Sequence, residues 1–156
     1  MDKETLIGGV LEELQRRHVV LMGGAAEAAS GADDEQNKQE GKYDTRAIEA
    51  SYLAQGQAEK AVELAQAIEA VGALPLKAWG EGDPVALGAV VGVKYPGDVF
   101  WYLLVPAGGG VEVEVDGKEI TTVTPEAPVG RALLGKRAGG KFEVRAGLVA
   151  EVVEVF

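Results

Sequence analysis

Few residues in this chain can do covalent or acid–base chemistry. His18 is its single histidine and it has no cysteine. A histidine-based triad, a multi-histidine metal site, a thiolate nucleophile and a disulfide are therefore all out of reach. Gly108-Gly109-Gly110 lacks the lysine and the serine or threonine of a phosphate loop, and Gly135-Lys136 is not preceded by the required glycine spacing. Carboxylates remain. Asp33, Asp34 and Glu35 stand in a row, with Glu40 a little beyond; by residue type alone they cap a helix and complement its dipole. Phe100, Trp101 and Tyr102 occupy successive positions. In a strand their side chains alternate faces, so at least one ring leaves the main core, to cover Trp79 or to meet a partner.

The chain has 156 residues and a net charge of −10. That length buries one sizeable core, or divides into a small globular domain and an extended element. The acidity repels a phosphate backbone, which argues against independent DNA or RNA binding. It is concentrated early: 14 acids face 7 bases up to Gly72, against 11 and 8 after it. Asp2, Lys3, Glu4, Glu12 and Glu13 interrupt the first apolar stretch, so neither a secretory core nor a membrane span can be drawn there. The expectation is a soluble, cytoplasmic monomer without a membrane partner.

Two textures divide the sequence. From Thr5 to Ala28, Ile7, Leu11, Leu14, Leu21, Ala25 and Ala28 step by threes and fours, with His18 in the gap, predicting a helix with a narrow seam. Ser30-Gly31 reads as its stop, and Asp33 with Gln36 as a capping box that restarts a helix from about Asp34 to Val71. The second seam is Ala47, Ala50, Ala54, Ala58, Ala61, Ala65 and Ile68. Gly41 and Asp44-Thr45 mark a kink or re-capping point. Two seamed helices joined by a short turn fold into an antiparallel hairpin, a coiled coil over residues 1–72, and residues 6–29 would project it by roughly 36 Å.

After Gly72 come turn residues and β-branched runs. Pro75, Gly80, Gly82 and Pro84 mark residues 73–84 as a linker, and 85–156 as a second domain. Period-two patterning predicts strands at Val85–Tyr95, Val99–Val105, Val111–Val115, Glu119–Val123, Lys141–Arg145 and Leu148–Val155. Asp116-Gly117, the Gly108–Gly110 run and Ala146-Gly147 are the reversals between them, all antiparallel. Pro128 opens a short helix, Val129–Leu134, that Gly135-Lys136 closes. The fold class is α+β, a twisted antiparallel sheet wrapped on one short helix beside the helical hairpin.

Two stretches carry a family resemblance. Lys42 to Gln57, reading KYDTRAIEASYLAQGQ, resembles the helix that follows the tip in Gre-type transcription elongation factors (GreA/GreB-like). Ile120 to Lys136, containing VTPEAPVGRALLGK from Val123, is similar to the strand-to-helix crossing of their FKBP-like C-terminal domain. Pro128, Arg131, Leu133, Leu134 and Gly135 recur at the family's spacing, and the likeness spans essentially the whole chain. It implies an accessory factor rather than an enzyme, with bacterial RNA polymerase as partner. Pro125, Glu126, Ala127, Pro128 and Arg131 would bind the polymerase, while the hairpin enters its secondary channel. Tip acids there help hold the polymerase's loosely bound magnesium for cleavage of backtracked RNA. Asp33 and Asp34, with Glu35 beside them, are the candidate magnesium ligands, shared only in the complex; no cofactor is implied for the chain alone.

The pattern also departs from the family's. Matching Tyr43 to the family's tip tyrosine places Gln36 and Gln39 where an aspartate and a glutamate belong; separately, the family's polar residues before the proline correspond to Glu126, which keeps an acid, and Ala127, which has lost a hydroxyl. The first favours a channel competitor that binds without promoting cleavage. Two further readings stay open: an FKBP-like prolyl isomerase or chaperone, which needs an open aromatic pocket that the sequence does not show, and a helical adaptor without a transcription role.

Overall fold

The computed structural model describes residues 1–32 and 45–156, and the side chains of 1–23 and 47–156. Helices α1 (Lys3–Ala32) and α2 (Thr45–Gly72) precede strands β1 (Val90–Tyr95), β2 (Asp98–Leu104), β3 (Glu112–Val115) and β4 (Lys118–Val123), helix α3 (Pro128–Leu133), and strands β5 (Lys141–Arg145) and β6 (Leu148–Val155). The architecture is α+β. Among the described residues, no helix is long and apolar enough to cross a membrane. Two compact units are distinguished, one of residues 1–13 with 67–156 and the other of residues 14–66.

In the unit of residues 14–66, α1 runs through Ser30-Gly31, where the sequence predicts its stop, and ends at Ala32. A serine and a glycine cost helix propensity without forbidding helical dihedrals. The buried and half-buried positions of α2 here are Ala47, Ala50, Ala54, Gln57, Ala61 and Leu64. Ala58 and Ala65, predicted in the seam, are exposed. Alternating steps of three and four average 3.5 residues and keep one stripe facing inward, whereas repeated steps of four drift around the helix. Gln57 brings a buried side-chain oxygen with no hydrogen-bond partner. Its replacement by leucine should raise stability by about 1 kcal/mol, measured as a later urea midpoint at unchanged slope.

In the other unit, Leu6 and Val10 are fully buried while the predicted seam residues Ile7 and Leu11 are half-buried. The difference has a cause: the first turns of α1 face a sheet as well as a helix. A Cβ placed on Gly9 would stand 2.7 Å from Val113 Cγ1 of β3, and one on Gly72 would stand 4.0 Å from Leu11 Cδ2. The start of α1 thus lies beside the end of α2, and the two run antiparallel there. Asp2 caps α1: its carboxylate accepts from the Thr5 amide at 3.0 Å and the Thr5 hydroxyl at 2.6 Å. These bonds hold the Asp2 carboxyl below the usual range.

Lys3 fastens the same turn. Its ammonium donates to the main-chain oxygens of Lys77 at 2.9 Å, Gly88 at 3.2 Å and Phe156 at 2.5 Å, and sits 4.0 Å from the centre of the Trp79 ring. A lysine only 9% exposed is rare unless so satisfied. Burial, aided by the Lys77 charge, pushes its amine down to about 8, so it is protonated at neutral pH.

The six strands form one sheet in the order β3-β4-β2-β1-β6-β5. All neighbours are antiparallel except β2 and β4, which are parallel and pair Trp101 with Ile120; the expectation of antiparallel connections fails at this pair. The chain leaves β2, passes the place of β4 and builds β3 at the edge, so the Asp116-Gly117 hairpin returns β4 in the same direction as β2. Positive φ at Asp116 (53°) and Gly117 (73°) makes that turn. The crossing loop is stitched by buried Thr122, whose hydroxyl accepts from the Val111 amide at 2.9 Å and donates to the Gly108 oxygen at 2.7 Å. Residues 85–89, predicted as strand, instead make a turn at Gly88 (φ 93°), after which β1 begins.

One sheet face carries Val91, Val93, Leu104, Val123, Ala150 and Val152, packed with Leu133 of α3 and with Trp79. Trp79 is therefore core, although its segment reads as a linker. Trp101 points to the opposite face, with its ring over Gly92 and 5.8 Å from that of Phe156. It does not cover Trp79. Phe100 and Tyr102 share the α3 side, where Phe100 meets Tyr95 edge-on at 5.3 Å and stays 49% exposed.

Candidate docking site at the strand-to-helix junction

Thr124 to Arg131 turn the chain from β4 into α3. The Ala127 amide donates to the Thr124 oxygen at 3.1 Å and the Arg131 amide to the Ala127 oxygen at 2.9 Å. Ala127 is the cap residue and offers no side-chain bond, while Pro128 occupies the first turn, where its missing N–H costs nothing. At the other end, Gly135 takes φ 79° as the sequence predicts for a helix stop, and its amide donates to the Val85 oxygen at 2.8 Å. The tightest point is Gly130, which is buried; a Cβ there would lie 2.0 Å from the Thr124 oxygen.

This folding presents the predicted residues together. Glu126, Pro128 and Arg131 are exposed, Pro125 and Ala127 half-buried. Arg131 Nη2 donates to the Glu126 main-chain oxygen at 3.3 Å, leaving the Glu126 carboxylate outward. An acid, a guanidinium and a rigid proline thus stand on one short turn and make a polar surface. Asp33, Asp34 and Glu35, the predicted tip acids and metal ligands, lie outside the described residues, as do Gln36, Gln39 and Glu40. Among the described residues, no cluster of three or more histidine, cysteine or acidic side chains could hold a metal.

Two features escape the linear reading. Gly130 inside a helical stretch is a signal of close backbone approach, legible from its type. The other is a groove of about 310 Å³ beside α3, lined by Tyr95, Pro128, Val129, Ala132, Phe142, Glu143 and Val144. The sequence shows no open aromatic pocket because Tyr95 and Phe142 come from strands far apart in the chain. Tyr95 lies with its hydroxyl 3.2 Å from that of Tyr102; burial first, then this bond, pushes its phenol up.

The fold and junction define an α+β class in which two long helices precede a six-stranded, mostly antiparallel sheet carrying one short helix. No family model and no curated protein sequence matches the chain. Among solved structures, the GreA factor homolog 1 (Gfh1) protein of Thermus thermophilus is similar at 18% identity, covering 94% of each chain with a TM-score of 0.38. Thermus aquaticus Gfh1 is similar at 19% identity over 94% of this chain and 90% of that one, TM-score 0.37. A prokaryotic transcription elongation factor GreA/GreB from Nitrosomonas europaea is similar at 26% identity over 64% and 78%, TM-score 0.32.

Proposed function

We propose that this chain is a Gre-type regulator of transcription elongation. It binds bacterial RNA polymerase through the junction of Pro125, Glu126, Ala127, Pro128 and Arg131, and inserts its helical pair into the secondary channel. The observation that supports this reading is the junction itself: the residues that resemble the family's crossing motif stand on one exposed turn between β4 and α3. The chain supplies no chemistry of its own and works through the polymerase's active site. Asp33 and Asp34, with Glu35 beside them, would approach the polymerase magnesium, and Gln36 and Gln39 at the family's acidic positions favour a member that occupies the channel and competes with cleavage-promoting factors.

Replacing Glu126 and Pro128 together by alanine should weaken polymerase binding about tenfold, the size of a small hot spot. Replacing Asp33, Asp34 and Glu35 should leave it unchanged. Affinity of labelled protein for core polymerase measures both, and undiminished binding of the first variant removes the proposed surface. In stalled, backtracked complexes the wild type should shorten the RNA weakly at most; cleavage at the rate of an authentic Gre factor would contradict the tip reading.

The aromatic groove supports a second reading, an FKBP-like prolyl isomerase, because Tyr95 and Phe142 provide the apolar walls that a proline ring needs. Acceleration of prolyl isomerisation in a short peptide, lost in Phe142→Ala, would favour it over the first.

A further inference from the structure

Strand β5 ends the sheet, so among the described residues one of its main-chain edges has no neighbouring strand. Exposed edges are normally guarded by charge, and β5 reads Lys141-Phe142-Glu143-Val144-Arg145, with both charge signs alternating along it. Val152 exchanges main-chain bonds with Gly139 at 2.7 Å and Gly140 at 2.8 Å on the β6 side. In an antiparallel ladder these bonds alternate, so Phe142 turns its N–H and C=O toward Ala150, while Lys141 and Glu143 turn theirs to the open edge. The pairing is regular from Lys141 to Glu143 and irregular between Glu143 and Arg145.

We propose that β5 pairs with β5 of a second copy of this chain, antiparallel about a two-fold axis at Phe142. That register sets Lys141 of each copy opposite Glu143 of the other, on the residues whose hydrogen-bonding groups point outward, and sets the two Phe142 side chains side by side. The alternative register, centred on Glu143, opposes two glutamates and sets Lys141 against Arg145. The charge pattern therefore refuses that pairing and accepts the other. Val144, 47% exposed at the end of the paired stretch, adds apolar surface for the second copy. The self-matching alternation of charge selects this chain over an unrelated strand, whose charges would have to fit by chance.

Sedimentation equilibrium of the full chain from micromolar to millimolar concentration tests the pairing. The wild type should show a reversible dimer that weakens as salt rises. Lys141→Glu alone and Glu143→Lys alone each oppose like charges twice across the axis and should raise the dissociation constant about tenfold or more. The double swap, Lys141→Glu with Glu143→Lys, restores the match and should recover the dimer. A wild type that stays monomeric throughout overturns the proposal, as does a dimer indifferent to the single reversals or one that the double swap fails to restore. All the altered side chains are exposed on an edge strand, and far-ultraviolet circular dichroism of each variant confirms that the comparison is between folded chains.

Discussion

Gly130→Ala should lower folding stability by about 3 kcal/mol, the upper end of the cost of forcing atoms into a filled site. The added carbon would stand 2.0 Å from the Thr124 oxygen and 2.8 Å from the Thr124 carbonyl carbon, and both are backbone atoms that no rotamer change can move aside. Relief requires α3 to lift from the end of β4, which would displace Leu133 from the core and spoil the turn that carries Glu126 and Pro128. Urea unfolding measures the loss. Gly8→Ala is the control, because Gly8 is exposed in α1 with nothing within 4 Å of an added Cβ; there the same substitution should stabilise by about 1 kcal/mol through helix propensity. Equal effects at the two positions would show that the junction has slack.

Lys3→Met should cost about 2 kcal/mol at neutral pH. The methionine fills similar space, but it leaves the Lys77, Gly88 and Phe156 oxygens without their common donor and the Trp79 ring without its cation. The loss should appear first as faster amide exchange in the first turns of α1, with the sheet still protected. The pH dependence has a definite sign. Burial takes the Lys3 amine from its ordinary 10.5 to about 8. Between those values the unfolded chain holds a proton that the folded chain has released, so wild-type stability relative to Lys3→Met rises with pH across that window and is flat below it. A nitrogen or carbon resonance of the lysine side chain that titrates near 10.5 in the folded protein would refute the burial argument.

Much of the local structure at the strand-to-helix junction was legible as sequence. Pro128 and Gly135 bracket α3 because one residue is suited to a helix start and the other to a left-handed stop, and both properties are local. The six strands were countable for the same reason, since alternation and turn residues act over a few neighbours. The parallel pairing of β2 with β4 was not legible: strand order depends on which edge a returning hairpin finds, and the Asp116-Gly117 turn is the same in either case. The seam of α2 was legible in kind and misplaced in phase, because alanines at Ala58 and Ala65 fit a stripe as well as Gln57 and Leu64 by type, and only a partner surface chooses between them.

The amino-acid sequence by itself determined the two helical arms, the six-stranded character of the second half, the helix stop at Gly135 and the exclusion of histidine and cysteine chemistry, all of which rest on short-range dihedral and composition constraints. The tertiary structure alone decided that Lys3 is buried under three main-chain oxygens, that Trp79 belongs to the core, that Tyr95 and Phe142 form a groove and that β5 is an edge. Each of these joins residues distant in the chain, and such contacts are set by packing the whole core at once, which no local pattern encodes.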